Sequence, residues 1–265
     1  MKAAVTLSQV PEAREGPFVL HGDLSESFAK AAAFGFDGVE LFLPGPDFIT
    51  VEEVRALADA NGLAIAAVGT GAGMLRGGLS ITDESDGKRE AAMDFVLSMI
   101  DFGGRLNAPA ILGSMQGKTR HPDSLRHLET NLRRCGERAA LHGVPFLYEP
   151  LNRYETQLFN RLGDAVRFLD EHELNNVLLL ADLFHMNIEE SDLPAAIRAA
   201  GRHIGHVHYA DSNRRAMGLG HTDPEPVVAA LRDIGYQGWL SAEIFPLPDA
   251  ESAARRTVAG IRSLA

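Results

Sequence analysis

The sequence predicts an α/β chain closed into a single (β/α)8 barrel, and three observations lead there. Short apolar runs alternate with longer amphipathic ones eight times along 265 residues; four of the later runs end on a side chain able to hold a metal; no composition break or low-complexity linker divides the chain. Runs that stay apolar throughout suit strands buried on both faces of a parallel sheet.

In order, the strand candidates are Ala3–Ser8, Gly38–Phe42, Ala64–Gly69, Ala110–Gly113, Pro145–Glu149, Val177–Asp182, Ile204–Tyr209 and Gly238–Glu243. Helical periodicity fills the gaps at Leu24–Phe34, Val51–Asn61, Lys88–Phe102, Ser124–His142, Leu162–His172, Leu193–Ala200, Pro226–Ile234 and Glu251–Leu264. Gly35, Gly62, Gly143 and Gly235 each follow a helical run, where a left-handed stop costs glycine least. An open doubly wound sheet would need fewer strands and a glycine fingerprint after the first one, which this chain lacks. Residues 1–265 are therefore expected to form one catalytic domain.

Composition narrows the function. Lysine and arginine number 25 against 36 acidic residues, and the net charge of −11 repels phosphate backbones and anionic membranes. The expected partner is a small molecule, with no nucleic acid, no membrane, and a homo-oligomer as an allowed assembly. The one cysteine, Cys135, has no internal partner and falls on a helical position, where a structural thiol is the better reading. Neither a signal peptide nor a membrane span is apparent, so a cytoplasmic location is expected.

Three loops that follow strands are longer than the rest: Gln9 to Asp23, the glycine-rich Thr70 to Ser80, and Ser114 to Lys118. Such loops line the active face of a barrel. The glycines from Gly71 to Gly78 lack the lysine and helix start of a P-loop, so they read as a mobile or tightly turned lid.

The chemistry is concentrated at four strand ends, Glu149, Asp182, His208 and Glu243. Strands joined by helical crossovers run parallel, and a barrel rim turns their ends toward one centre. Three hard oxygen donors and one imidazole suit Mn2+, with Mg2+ or Co2+ as alternatives, better than a structural zinc. Such an ion across a ketone oxygen and the neighbouring hydroxyl would acidify the carbon-bound proton and favour an enediolate. Glu149 and Glu243 can flank that carbon, one removing the proton and the other returning it. His206 shares a strand face with His208, Glu40 points from the second strand toward the same rim, and Asp211 follows the seventh strand. These three are candidates for a supporting shell, against the plainer readings of core histidine, strand acid and loop cap.

The segments Glu149-Pro-Leu-Asn-Arg-Tyr-Glu-Thr156, Asp182-Leu-Phe-His-Met-Asn-Ile-Glu189, His206-Val-His-Tyr-Ala-Asp-Ser-Asn-Arg214 and Gly218-Leu-Gly-His-Thr-Asp223 together resemble the sugar phosphate isomerase/epimerase family of xylose isomerase-like TIM barrels. Within it they look most like ketose 3-epimerases of the D-tagatose and D-psicose type. Thr70-Gly-Ala-Gly and Phe245-Pro-Leu-Pro are similar to the 5-keto-gluconate epimerase branch. The resemblance implies a metal-dependent epimerase inverting the carbon next to the ketone of a ketose or keto-sugar acid. It implies Glu149 and Glu243 as both acid/base pair and metal ligands, Asp182 and His208 as the other ligands, and Glu155, His185 and Arg214 as substrate contacts. Alternative readings are an aldose–ketose isomerase of the hydroxypyruvate isomerase type, an AP endonuclease-like metal enzyme, and a nonenzymatic sugar-binding protein.

Overall fold

A computed structural model describes residues 1–119 and 121–264. Among these residues nine parallel strands form one sheet: β1 (Lys2–Ser8), β2 (Leu20–His21), β3 (Gly38–Phe42), β4 (Ala64–Gly69), β5 (Ala110–Leu112), β6 (Phe146–Tyr148), β7 (Val177–Asp182), β8 (Ile204–His208) and β9 (Trp239–Ala242). Neighbours follow the order β2, β1, β3 and so on to β9, and β9 pairs back onto β1 from Lys2↔Trp239 to Val5↔Ala242. Eight strands thus close into the expected barrel. The ninth, β2, pairs only through Leu7↔Leu20 and Ser8↔His21, too short a run to show any periodicity in sequence.

Among the described residues ten α-helices accompany the strands: α1 (Leu24–Phe34), α2 (Val51–Asn61), α3 (Ala72–Gly77), α4 (Asp86–Arg105), α5 (Ser124–Ala140), α6 (Leu162–Glu171), α7 (Leu183–Glu189), α8 (Leu193–Ala200), α9 (Pro224–Asp233) and α10 (Ala250–Leu264). Local sequence explains their limits. Thr50 and Glu53 close a reciprocal capping box at the start of α2, with Thr50 N donating to Glu53 Oε2 at 2.9 Å and Glu53 N to Thr50 Oγ1 at 3.2 Å. Loss of such a cap costs about 1 kcal/mol. The helix then buries Val51, Val54 and Ala58 on one stripe and stops at Gly62 with φ 64°. Gly35, Gly143 and Gly235 also carry positive φ, as expected.

Two helices were not anticipated. The glycine-rich stretch is no open lid loop: residues 72–77 form α3, because Gly73 lets the helix press on the turn at Ser114–Gln116, where a Cβ would meet Met115 Sδ at 2.6 Å. The long loop after β1 packs on α3 through a small apolar cluster of Val10, Ala13, Phe18 and Ala72, and Phe18 stacks on Phe42 at 4.7 Å. The second, α7, leaves β7 without an intervening loop.

Inside the barrel, Ala67, Ile111, Leu147 and Leu180 form an apolar plug on one side. A buried polar layer, Thr6, Glu40, His206 and Ser241, comes from β1, β3, β8 and β9. Strand alternation puts His206 and His208 on one face, and register shifts at Val39/Glu40 and Leu179/Leu180 help re-aim the side chains beside them. No helix among the described residues is long and apolar enough to cross a membrane.

Candidate active site at the carboxyl end of the barrel

The four predicted ligands meet around His208 Nδ1. Asp182 Oδ2 lies 3.5 Å from it, and Glu149 Oε1 and Glu243 Oε2 each lie 3.6 Å away. Asp182 and His208 are the last residues of β7 and β8, while Glu149 and Glu243 stand one residue past β6 and β9. Ligating atoms of Glu149, Asp182 and His208 all fall within 4.8 Å of one another. Those three atoms are also buried and have no hydrogen-bond partner. Orphaned polar atoms in an interior cost about 1–3 kcal/mol each, so three that face one another form a cradle for a cation. The donor set, oxygen-rich with one imidazole and no thiolate, fits a hard divalent ion.

Each ligand is held from behind. Asp182 spends Oδ1 on capping α7, accepting from Phe184 N at 2.7 Å, which leaves Oδ2 directed at the cluster. Glu149 fits because residue 113 is glycine, where a Cβ would meet Glu149 Oε2 at 2.6 Å. Its backbone carbonyl is gripped by Gln116 Nε2 at 2.9 Å, and Gln116 Oε1 in turn accepts from the Tyr148 hydroxyl at 2.7 Å. His208 is oriented through its other nitrogen: Nε2 lies 3.1 Å from Glu40 Oε1 and 3.3 Å from Glu40 Oε2. Glu40 also meets His206 Nε2 at 2.8 Å and accepts from Thr6 Oγ1 at 3.2 Å. Burial lowers the His208 pKa, but the charges of Glu40 and Glu243 outweigh it and hold the ring well above its ordinary value. With Nε2 directed at Glu40, Nδ1 is the nitrogen that would give its proton up and turn a lone pair to an ion.

Of the predicted substrate contacts, His185 projects from α7 with Nε2 3.7 Å from Asp182 Oδ2 and 3.8 Å from Glu149 Oε1. Glu155 reaches the same histidine less directly: its Oε1 is 3.8 Å from His185 Nδ1, and both bind the amide of Asn152, at 3.0 Å and 2.7 Å. Asn152 and Gln116 were not singled out from sequence. Asn152 lay inside the motif after Glu149, but an amide gives no signal of its own. Arg214 lies on the carboxylates themselves. Its guanidinium pairs with Glu243 Oε2, lies 3.6 Å from Asp182 Oδ2, and sits over the Phe184 ring at 4.8 Å. Asp211 touches none of the ligands. Its carboxylate instead accepts from four backbone N–H groups, Ser212, Gly218, Gly220 and Thr222, at 2.7–3.0 Å, so the loop-cap reading replaces the supporting-shell one.

Electrostatics separates the carboxylates. Burial pushes Glu149 above the ordinary range, and the charges of His208 and His185 only partly offset it. Burial acts on Asp182 too, but His185, His208 and Arg214 outweigh it and hold that carboxyl well below the usual range. Glu40 is likewise held low against burial by His208 and His206. For Asp211, burial is outweighed by the N–H groups of Thr222, Gly220 and Ser212, leaving it at about 2.

Above the cluster lies a cavity of about 380 Å³ whose walls include Glu149, His185, His208, Arg214 and Glu243 on one side. Phe18, Phe42, Met74 and Leu75 supply an apolar wall opposite. That volume lies in the range of small-molecule sites.

With the fold and the convergent site in view, comparison with known proteins is direct. Residues 28–264 match the xylose isomerase-like TIM barrel family, and the chain belongs to it. It is 32% identical over 228 residues to a D-psicose 3-epimerase of Ruminiclostridium cellulolyticum, covering 82% of this chain and 76% of that protein. It is 30% identical over 230 residues to a 3-dehydro-D-guloside 4-epimerase of Escherichia coli, covering 83% and 87%. The crystal structure of D-psicose 3-epimerase with D-tagatose from Clostridium cellulolyticum H10 superposes with a TM-score of 0.83 at 24% identity, covering 100% and 99% of the two chains, which confirms the barrel. These relatives bear out the expected class, isomerases that epimerise sugars.

Proposed function

We propose that the protein is a metal-dependent epimerase that inverts the carbon next to the ketone of a ketose or keto-sugar acid, with residues 1–265 acting as one cytoplasmic catalytic unit. The observation that carries this reading is the set of buried, unpartnered atoms Glu149 Oε1, Asp182 Oδ2 and His208 Nδ1 facing one another beside Glu243. Glu149, Asp182, His208 and Glu243 would hold the ion, Mn2+ being the best match to the donors. When bound, it would polarise the ketone and neighbouring hydroxyl and so favour the enediolate.

The chain's own residues supply the proton steps. Glu149 would serve as one proton-exchanging carboxylate, and Glu243, the other, enters from a strand three positions away round the barrel. One takes the proton from carbon and the other delivers one to the opposite face, which inverts the centre. His185, steadied by Asn152, and Glu155 are placed to hold the sugar hydroxyls. Arg214, paired with Glu243 here, would meet a substrate oxygen or carboxylate, for which its planar fork is suited.

The test is incubation of the Mn2+-loaded protein with a panel of ketoses and keto-acids in D2O. Deuterium should enter at the carbon next to the ketone, with an epimerised product. Deuterium placed at the former carbonyl carbon with an aldose product would instead mean an aldose–ketose isomerase. Glu149→Gln and Glu243→Gln should each lower exchange by about three orders of magnitude while most of the metal is retained. Near-normal exchange in both, with metal bound, would sink the two-carboxylate scheme.

A further inference from the structure

The cavity over the metal-competent cluster opens into a second, larger space. A cleft of about 780 Å³ meets it at Met74, Ser114, Leu151 and Glu155, which line both. The first cavity, at about 380 Å³, already falls within the usual range of about 300–1,000 Å³ for small-molecule sites. One free sugar therefore leaves the cleft unused. Glu155, which the proposed function assigns to the sugar hydroxyls, stands at the junction.

The walls of the cleft indicate what it takes. The chain has four lysines. Lys30 pairs with Glu26 at 3.4 Å and Lys2 lies over the Trp239 ring at 5.2 Å, while Lys88 and Lys118 both face the cleft and make no ion pair among the described residues. His121 lines the same space with its ring nitrogens already engaged by Thr82 O and Asp123 N, and Asp83 and Glu84 bring carboxylates to it. Tyr154 presents a ring that is 77% exposed, unusual for an aromatic in a polar setting. A phosphate would be welcomed by the lysines and repelled by the two acids beside them. A polyhydroxylated ring suits both, because each hydroxyl donates and accepts, and its apolar C–H face can lie on an aromatic ring.

From this the geometry points to a substrate longer than a single sugar: a ketose whose far end carries a second, neutral polyhydroxylated ring, seated in the cleft between Tyr154 and Lys118. The inference rests on the epimerase reading above and names the substrate class of that site. Tyr154 and Lys118 lie outside the catalytic cluster and determine specificity by holding the distal ring. Binding energy gained there is available to the reacting end, so the longer substrate should gain in kcat/KM.

The experiment compares fructose, fructose 6-phosphate and isomaltulose, a fructose carrying a glucosyl ring on O6, with the Mn2+-loaded protein in D2O. Deuterium entry next to the ketone is measured as kcat/KM, and affinity by titration calorimetry. Isomaltulose should exceed fructose by about tenfold or more in kcat/KM and bind more tightly. Tyr154→Ala and Lys118→Ala should remove most of that advantage and leave fructose within about twofold. Exchange in fructose with no gain for isomaltulose, or equal losses for both sugars in the two variants, would overturn the extended substrate while leaving the epimerase intact. A preference for fructose 6-phosphate over isomaltulose would overturn the neutral ring in favour of an anion. Exchange in none of the three, beside exchange in another member of the ketose and keto-acid panel, would overturn this inference and leave the epimerase reading standing; exchange in no member of that panel would remove both.

Discussion

His208 stands between two buried groups of similar make-up and opposite condition. Toward Nε2 lie Glu40 and His206; toward Nδ1 lie Glu149, Asp182 and Glu243. Both sides could be read as metal sites from residue types alone, since each gathers three ligating atoms within 4.8 Å. On the Glu40 side the carboxylate oxygens are taken, Oε1 by Thr6 and His208 and Oε2 by His206, at hydrogen-bond distances of 2.8–3.2 Å. On the other side Glu149 Oε1 and Asp182 Oδ2 face His208 Nδ1 at 3.5–3.6 Å without a hydrogen-bond partner, and Arg214 lies on Glu243 and 3.6 Å from Asp182 Oδ2. A buried polar group that is already satisfied keeps a shape, whereas one left open has a reason to accept a cation. The contrast separates the residue that aims the ligand from those that would use it.

The comparison breaks most visibly on its open side. Asp182→Ala removes a proposed ligand and the cap of α7 together. It should abolish the rise in melting temperature that Mn2+ gives the wild type and lower turnover by about a thousandfold or more. Full activity in Asp182→Ala protein shown to be metal-free by elemental analysis would dismiss the metal altogether. On the closed side, Glu40→Gln keeps the shape but loses the charge that fixes the His208 ring. Metal affinity should fall by about 10–100-fold, with activity recovered at high Mn2+. A loss that no concentration of metal repairs would mean Glu40 does more than orient.

The smallest effect lies outside both groups. Asp211 has its folded value lowered to about 2, below that of a free aspartate near 3.8. Its contribution is therefore present above about pH 4 and lost as pH falls through about 2. Asp211→Asn turns an amide toward two of the backbone donors, which should cost ~1–3 kcal/mol near neutral pH and progressively less in acid. An unchanged acid-unfolding curve would show that the loop from Ser212 to Thr222 is held by other contacts.

The convergence of the four strand-end residues was legible because a strand buried on both faces admits charge only where it leaves the sheet, so an acid or histidine closing an apolar run stands out. Eight strands and their following helices were legible for the same periodic reason. What stayed hidden has specific causes. Asp182 ends a strand and caps a helix at once, so no turn residues announced α7. Glycines 71, 73 and 77 argue against a helix by propensity, and the packing of Gly73 on Met115 and of Ala72 on Val10, Ala13 and Phe18 makes α3 worthwhile. Phe18, Phe42 and Met74 look like any core residues until the barrel opens beside them. Arg214 was read as a substrate contact, but before any ligand arrives the nearest anions are Glu243 and Asp182, and a buried guanidinium takes them.

Closure of β9 onto β1 joins residues 2–5 to 239–242, and Glu40 reaches His208 across 168 positions of sequence. A chain emerging in order of synthesis therefore has the aiming carboxylate from β3 ready early and waits for β8 and β9 before there is anything to aim. Until Glu243 arrives the site is three-sided, and no earlier fragment has the full grip on an ion. The last strand to be made is thus both the stave that shuts the barrel and the bearer of one of the two proposed proton-exchanging groups, so catalytic competence and completion of the fold arrive in a single event.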